Sequence, residues 1–258
     1  MRASANGVNF HCHVDGPEDA PWLILSNSLA TDVSMWDEQV VVLKEKYRVF
    51  TYDQRGHGRT EAPEGAYNFD ILAADVIGLM DGLSIERANF CGLSMGGITG
   101  QALIQKYPDR FDKLIICDCT AASNPAGAAQ WAERITDVKQ GGMDAVVDIT
   151  VGRWFSPEAL ENNTAVVDKV RQMIRKTPVN GFIGCASALS EFDFKAGLGD
   201  INAPTLLIAG TKDAAYPGIK FLNGAISGSK MVELEGAGHL SNLEAPEAFT
   251  RALMNFLG

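Results

Sequence analysis

The chain has 258 residues, of which 46% are apolar and 21% charged, and a formal net charge of −10. A chain of this length buries about 75% of the surface its unfolded form exposes, so it needs no disulfide or metal staple; length predicts one large domain or a domain with an insertion. The negative field repels phosphate backbones, which argues against nucleic-acid binding and leaves any anionic substrate in need of a local cation.

No run approaches the roughly 18 apolar residues of a membrane span, and the opening "MRASANGVNF" lacks the apolar stretch of a secretory leader. Neither membrane contact nor export is expected. Cys12, Cys91, Cys117, Cys119 and Cys185 are odd in number and scattered. They read as reduced core thiols of a cytoplasmic protein.

In chain order, "VNFHCHVDG" alternates and predicts an early strand in a hairpin. "WLILS" is a short apolar strand that runs into a polar loop, "NSLATDVSMW". "YRVFTYD" is a third strand, ending in Asp53. "FDILAADVIGLMDGL" has helical spacing, with Asp70 near its first turn. "RANFCGLS" is a strand ending at glycine, and "GITGQALIQKYPDR" is a helix stopped by Pro108. "DKLIICDCT", "PTLLIAGTKD" and "SKMVELEGAGH" are further strands, and "EAPEAFTRALMNFL" is a closing helix. Short apolar strands alternating with helices predict an α/β fold with a mostly parallel sheet buried on both faces. Residues 121–199 break the rhythm with helical patterns such as "GAAQWAERITDVK" and "NNTAVVDKVRQMIRK" and no strand. They are expected to form a helical cap over the C-terminal strand ends, where open sheets of this kind bind ligands. Residues 1–120 and 200–258 would form the core.

The chemistry begins at Gly92-Leu93-Ser94-Met95-Gly96, a G-x-S-x-G between a strand and a helix. In that setting the serine sits on a strained turn and its glycines avoid collisions with crossing backbone. Oγ is pushed out of the sheet, and the Met95 N–H faces the reacting carbonyl at a helix start that favours an oxyanion. A serine nucleophile needs a base near neutral pH, usually histidine. The four histidines are His11, His13, His57 and His239. His11 and His13 read as a solvated strand face, and His57 as a brace in "DQRGHGRT" with Asp53 and Arg55. His239, in a glycine-bearing loop before the last helix, is left as the base. Asp213 and Asp118 both end strands and could orient it. The tight "AGTKD" turn and the order Ser-Asp-His favour Asp213, with Asp118 bonding backbone groups at the cap entrance.

In the cap, Arg153 could pair with a substrate carboxylate in two parallel bonds while Trp154 and Phe155 wall a small ring. The competing reading makes the two aromatics the cap's own core and Arg153 a solvated charge.

"DQRGHGRT", "GLSMGG", "LLIAGTKD" and "GAGHLSNLEAPEAF" resemble the α/β-hydrolase superfamily, and the resemblance spans essentially the whole chain. Within it, "LSNSLATDVSMWD", "GLSMGG", "GRWFSP" and, more loosely, "GFIGCASAL" resemble the 3-oxoadipate enol-lactonases. The resemblance implies an α/β-hydrolase fold and a serine hydrolase with no metal and no cofactor. Its partner is a small-molecule substrate, and a homo-oligomer stays open. Ser94 would attack a lactone carbonyl with His239 as base, the enol would leave, and water would release a 3-oxo dicarboxylate of the β-ketoadipate pathway. The oxyanion hole would map onto the Leu29 and Met95 N–H groups. Asn27 and Ser28, where many hydrolases carry His-Gly, would brace that loop or line the pocket. The chain departs from the pattern at Ala30, where glycine is usual, at Ser190, where many relatives have arginine, and in "TPVNGF". A carboxylesterase, C–C hydrolase or perhydrolase would use the same triad; a ligand receptor on this scaffold would not need it.

Overall fold

Asn6 and Gly7 have positive φ, 45° and 75°, as a type I′ turn requires. They fold β1 (Arg2–Ala5) back on β2 (Val8–Asp15). The expected hairpin therefore has its partner strand in "RASA", which carries too little apolar alternation to announce itself. The computed structural model describes residues 1–258.

The remaining strands are β3 (Trp22–Ser26), β4 (Arg48–Tyr52), β5 (Ala88–Leu93), β6 (Phe111–Cys117), β7 (Thr205–Gly210) and β8 (Lys230–Leu234). They form one eight-stranded sheet in the order β1-β2-β4-β3-β5-β6-β7-β8. β1 and β2 pair antiparallel, β2 joins β4 antiparallel, and all other pairs are parallel. Every residue of β5 and β7 is buried, which is why these strands read as unbroken apolar runs.

The core helices before the cap are α1 (Asp37–Leu43), α2 (Phe69–Gly82) and α3 (Met95–Lys106). The cap, between β6 and β7, holds α4 (Pro125–Gly141), α5 (Val147–Trp154), α6 (Pro157–Asn162), α7 (Thr164–Lys176) and α8 (Val179–Ser190). α9 (Tyr216–Ala225), the short α10 (Ser241–Glu244) and α11 (Pro246–Leu257) follow. The step from β3 to β4 runs one way along the sheet and every later crossover runs the other way. Right-handed connections then put α1 on one face and α2, α3 and α9 on the other; α11 returns to pack on α1.

The expected cap helix "NNTAVVDKVRQMIRK" forms α7 from Thr164 on; Asn163, at φ −116° and ψ 50°, leaves the helical region and separates it from the short α6 that precedes it. The cap is seated by backbone. Gly56 stands at φ 79°, and a Cβ on it would lie 2.3 Å from the Gly181 Cα; one on Gly181 would lie 1.9 Å from the Gly56 oxygen. The Tyr67 N–H donates to the Gly184 carbonyl at 3.0 Å nearby. This is the structural content of "TPVNGF".

Two histidine readings are corrected. His11 is buried, with Nδ1 2.9 Å from Asp53 Oδ2, because the loop after β4 folds back over β2. Asp53 also accepts from the Val33 and Arg59 amides at 2.8 Å. His13 is exposed. His57 does not touch Asp53; its Nδ1 lies 3.1 Å from the Arg55 carbonyl. Arg55 instead grips Asp75 through Nε and Nη2. All five cysteines are buried and unbridged.

Because both Cβ positions run into backbone, Gly181→Ala should cost about 2–3 kcal/mol, as overpacking does, read as a lowered urea midpoint. Gly152→Ala, in α5 with nothing within 4 Å of the added carbon, should instead raise stability by about 0.5–1 kcal/mol.

Candidate active site

Ser94 joins β5 to α3 at φ 56° and ψ −114°, a region that costs about 1–3 kcal/mol for a residue with a Cβ. Two close approaches enforce it. A Cβ on Gly92 would lie 2.1 Å from the Gly96 oxygen, and one on Gly96 would lie 2.2 Å from the Ser26 oxygen. The Ser94 N–H is held by the Cys117 carbonyl at 2.8 Å. With its own backbone so constrained, the side chain projects into the cavity above the strand ends.

His239 follows β8 and Asp213 follows β7. His239 Nε2 is 2.8 Å from Ser94 Oγ, and Nδ1 is 3.0 Å from both carboxylate oxygens of Asp213. With Nδ1–H donated to the carboxylate, Nε2 is left to accept the serine proton. Asp213 Oδ1 is itself fixed by the Ala215 N–H at 3.0 Å. Burial pulls the His239 pKa down, but the charge and hydrogen bond of Asp213, with Asp118, more than offset that, and Arg153 opposes them; the net shift is upward.

Asp118, the other carboxylate, does not touch the imidazole. Its Oδ1 accepts from the Gly210 N–H at 2.8 Å and its Oδ2 meets the Ser241 hydroxyl. It therefore ties the strand that leads to Asp213 to the residue two places after His239. Burial, then the charge of Asp213, push its pKa up. Glu244 makes a second tie. It accepts from the Gly238 N–H at 2.9 Å and from the Ser156 hydroxyl at 2.6 Å, joining the base loop to the cap. The His239 N–H donates to the Trp154 carbonyl at 2.7 Å, and the Trp154 indole stacks on the imidazole with centroids 5.8 Å apart.

Leu29 lines the cavity, and neither its N–H nor that of Met95 is taken up by another group of the protein. Ala30, at φ 53°, adopts the left-handed backbone expected of the usual glycine. Asn27 and Ser28 are fully buried and do not line the cavity. Asn27 Nδ2 donates to the Thr31 carbonyl at 2.8 Å, and Gln54 Nε2 donates to the Asn27 carbonyl. Asn27 braces the loop through its side chain, and the Ser28 hydroxyl is buried under the loop with no hydrogen-bond partner.

The cavity has a volume of about 250 Å³. Leu29, Ile98, Trp131, Trp154, Leu189 and Phe192 supply its apolar wall, and Ser94, Asp213 and His239 sit at its strand-end side. Phe155 is buried but does not line it, so of the two cap aromatics expected at a substrate only Trp154 is there. Arg153 lines the cavity and donates to Gln130 Oε1 at 3.1 Å. Arg134 lines it too, and sequence reasoning missed it. The available signal was its place three residues after Trp131 in a helical pattern, which puts both on one face. Ser190 bonds back to the Ser187 carbonyl of its own helix. No group of three His, Cys, Asp or Glu side chains is arranged to hold a metal ion, and no helix is long and apolar enough to cross a membrane.

Residues 21–246 match the profile of the α/β-hydrolase fold, and the chain belongs to that family. Within it the chain is closely related to 3-oxoadipate enol-lactonases. It is 39% identical to 3-oxoadipate enol-lactonase 2 of Acinetobacter baylyi, over 97% of this chain and 93% of that one. It is 35% identical to 3-oxoadipate enol-lactonase 1 of the same organism, over 100% and 96%. The crystal structure of the enol-lactonase from Burkholderia xenovorans LB400 superposes with a TM-score of 0.96 at 40% identity, covering 100% of this chain and 99% of that one.

If His239 must be neutral to accept the serine proton, its raised pKa places the acid limb of kcat/KM above the ordinary imidazole value of about 6.5. Activity should fall as pH drops through that limb. Asp213→Asn should cut kcat about 10⁴-fold. Asp118→Asn, which loses a brace and not the imidazole partner, should stay within about tenfold, the worth of one hydrogen bond. The reverse ranking in a pH–rate series would reassign the acid to Asp118.

Proposed function

We propose that this protein is a serine hydrolase that opens a small anionic enol-lactone, of the 3-oxoadipate enol-lactone type, through an acyl-enzyme on Ser94. The observation that carries the hydrolytic reading is the continuous chain Ser94 Oγ, His239 Nε2, His239 Nδ1 and Asp213, at 2.8 Å and 3.0 Å, beside two uncommitted amides. The lactone reading is supported by the curated relatives and solved relative named above, with which the chain shares its whole length.

In the first half-reaction His239 takes the Ser94 proton as Oγ attacks the lactone carbonyl. The negative charge that develops on the carbonyl oxygen is received by the N–H groups of Leu29 and Met95. Losing such a donor costs other hydrolases about 2.7–4 kcal/mol in barrier. These amides are pre-set by folded backbone, so no reorganisation is needed at the moment of reaction. The ring C–O bond then breaks, the enol oxygen leaves with the proton from His239, and the acyl group stays on Ser94. In the second half-reaction His239 takes a proton from water, hydroxide adds to the acyl carbon, and Ser94 leaves with that proton. One water is consumed, and the ring becomes an open chain with a new carboxylate and an enol that tautomerises to the ketone. Asp213 stabilises the imidazolium in both halves without taking its proton.

The same geometry would serve a neutral ester, and the substrate series separates the two readings. Purified protein should hydrolyse an anionic enol-lactone with a kcat/KM at least about 10²-fold above that for neutral lactones and short p-nitrophenyl esters, a discrimination of about 2.7 kcal/mol. A fluorophosphonate should label the protein, and Ser94→Ala should abolish both labelling and turnover. Equal turnover of neutral esters would make the protein a carboxylesterase, and absence of labelling would remove the enzymatic reading.

A further inference from the structure

The loop "NSLATDVSMW" holds a left-handed Ala30 and buried Asn27, Ser28 and Thr31, and the hydrolytic steps use only one of its groups, the Leu29 N–H. Two consecutive peptide groups lead to that amide. In the first, the Asn27 carbonyl accepts from Gln54 Nε2 and the Ser28 N–H donates to Met35 Sδ at 3.4 Å, so both ends are held. In the second, the Ser28 carbonyl accepts from Thr31 Oγ1 at 2.8 Å and from Asn27 Nδ2 at 3.2 Å, while the other end, the Leu29 N–H, has no partner in the protein. Across a planar trans peptide the C=O and the N–H point opposite ways. Whatever holds the Ser28 oxygen under the loop therefore aims the Leu29 N–H away from it, toward the cavity that Leu29 lines.

The turn by itself supplies little of that hold. The Thr31 N–H closes on the Ser28 carbonyl at a long 3.4 Å, with positive φ at Ala30 and not at Leu29. That is the sign pattern of a type II turn, which favours glycine where Ala30 stands; with alanine the left-handed backbone carries a steric cost. Were the Ser28–Leu29 peptide turned over, a carbonyl dipole would face the developing negative charge in place of an amide. We propose that Thr31 is a positioning residue for the oxyanion: its hydroxyl, by holding the Ser28 carbonyl, fixes the direction of the Leu29 N–H. The effect on rate rests on the serine-hydrolase reading above; the direction of the amide does not. Thr31 is buried and does not line the cavity, so it meets no substrate and acts only through Leu29. Its single hydroxyl proton also lies in reach of Met35 Sδ, 3.0 Å from Oγ1, but a carbonyl oxygen is the stronger acceptor. The Met35 carbonyl in turn accepts from Asn242 Nδ2 at 2.8 Å. The sulfur under the loop is thereby anchored to the segment that carries His239.

The test compares Thr31→Val, Thr31→Ala and Thr31→Ser, each titrated for active sites with a fluorophosphonate. Loss of the hydroxyl should lower kcat and kcat/KM together by about tenfold or more, short of the roughly 10²–10³ that outright loss of an oxyanion donor costs. Thr31→Ser keeps the hydroxyl and should stay within about threefold of the parent, less than the worth of one hydrogen bond. Affinity for an alkyl trifluoromethyl ketone should fall in proportion to kcat/KM. Ser94 Oγ adds to the carbonyl carbon of that ketone, His239 takes the proton, and the hemiketal oxyanion meets the same amides. Binding of the corresponding alcohol, which develops no charge, should not change. The direction of the Leu29 N–H is read from its residual dipolar coupling, which Thr31→Val and Thr31→Ala should move while those of β3 stay in place. A lowered melting temperature by itself moves neither the ketone-to-alcohol ratio nor that coupling. An unmoved Leu29 coupling, a ketone affinity indifferent to the hydroxyl, or an equal loss of rate in Thr31→Ser would overturn the role of Thr31. A coupling that moves in a protein no fluorophosphonate labels supports the positioning and removes the hydrolase reading.

Discussion

α3 can pass the end of β3 only because Gly96 has no side chain. The space a methyl group would occupy there is 2.2 Å from the Ser26 oxygen, well inside van der Waals contact. That approach puts the start of α3 beside the loop leaving β3, so the Met95 and Leu29 amides come from chain segments more than sixty residues apart yet serve one place. It also forces Ser94 into its strained backbone, and the strain persists because packing on both sides over-determines it. The strained Ser94 and the two uncommitted amides thus owe their positions to close backbone approaches at Gly92 and Gly96.

The base and acid are held by a different device. Asp118 links Gly210 to Ser241, and Glu244 links Gly238 to Ser156. Asp118 is buried and Glu244 half-buried; each accepts from two elements, which satisfies polar groups that would otherwise be costly in the interior. Together they hold the two loops that carry Asp213 and His239 in register with each other and with the cap. The Trp154 carbonyl and indole add contacts directly to His239.

The cap supplies part of the cavity wall. Its helices are fastened to the core where Gly56 meets Gly181, a contact with no side chain on either face and therefore little freedom to slide. Over that seat α4 and α5 bring Trp131, Arg134, Arg153 and Trp154 to the cavity. Ser94, Asp118, Asp213 and His239 line the same cavity.

The strand and helix rhythm, the helical cap and the elbow around Ser94 were legible in the chain because each rests on local signals: apolar runs, periodicity, and glycines at fixed offsets. Asp213 over Asp118 was legible from order and turn chemistry, although both end strands; only the fold shows one of them 3.0 Å from the imidazole and the other bonded to Gly210 and Ser241. β1 escaped because a short edge strand is specified by its turn, Asn6-Gly7, more than by its side chains. His11 was misread because a loop forty residues on covers it, and the alternatives at Asn27, Ser28 and Phe155 stayed open because nothing local says whether a side chain faces a cavity or the core behind it. Arg134 was missed for the same reason: a helix pattern puts it beside Trp131, but only the folded cap shows that the pair lines the cavity. The sequence by itself determined the backbone architecture and the residue types of the site, since these follow from short-range sterics and burial; the tertiary structure decided which charges are paired and which are left facing the ligand, since pairing depends on distances between segments far apart in the chain.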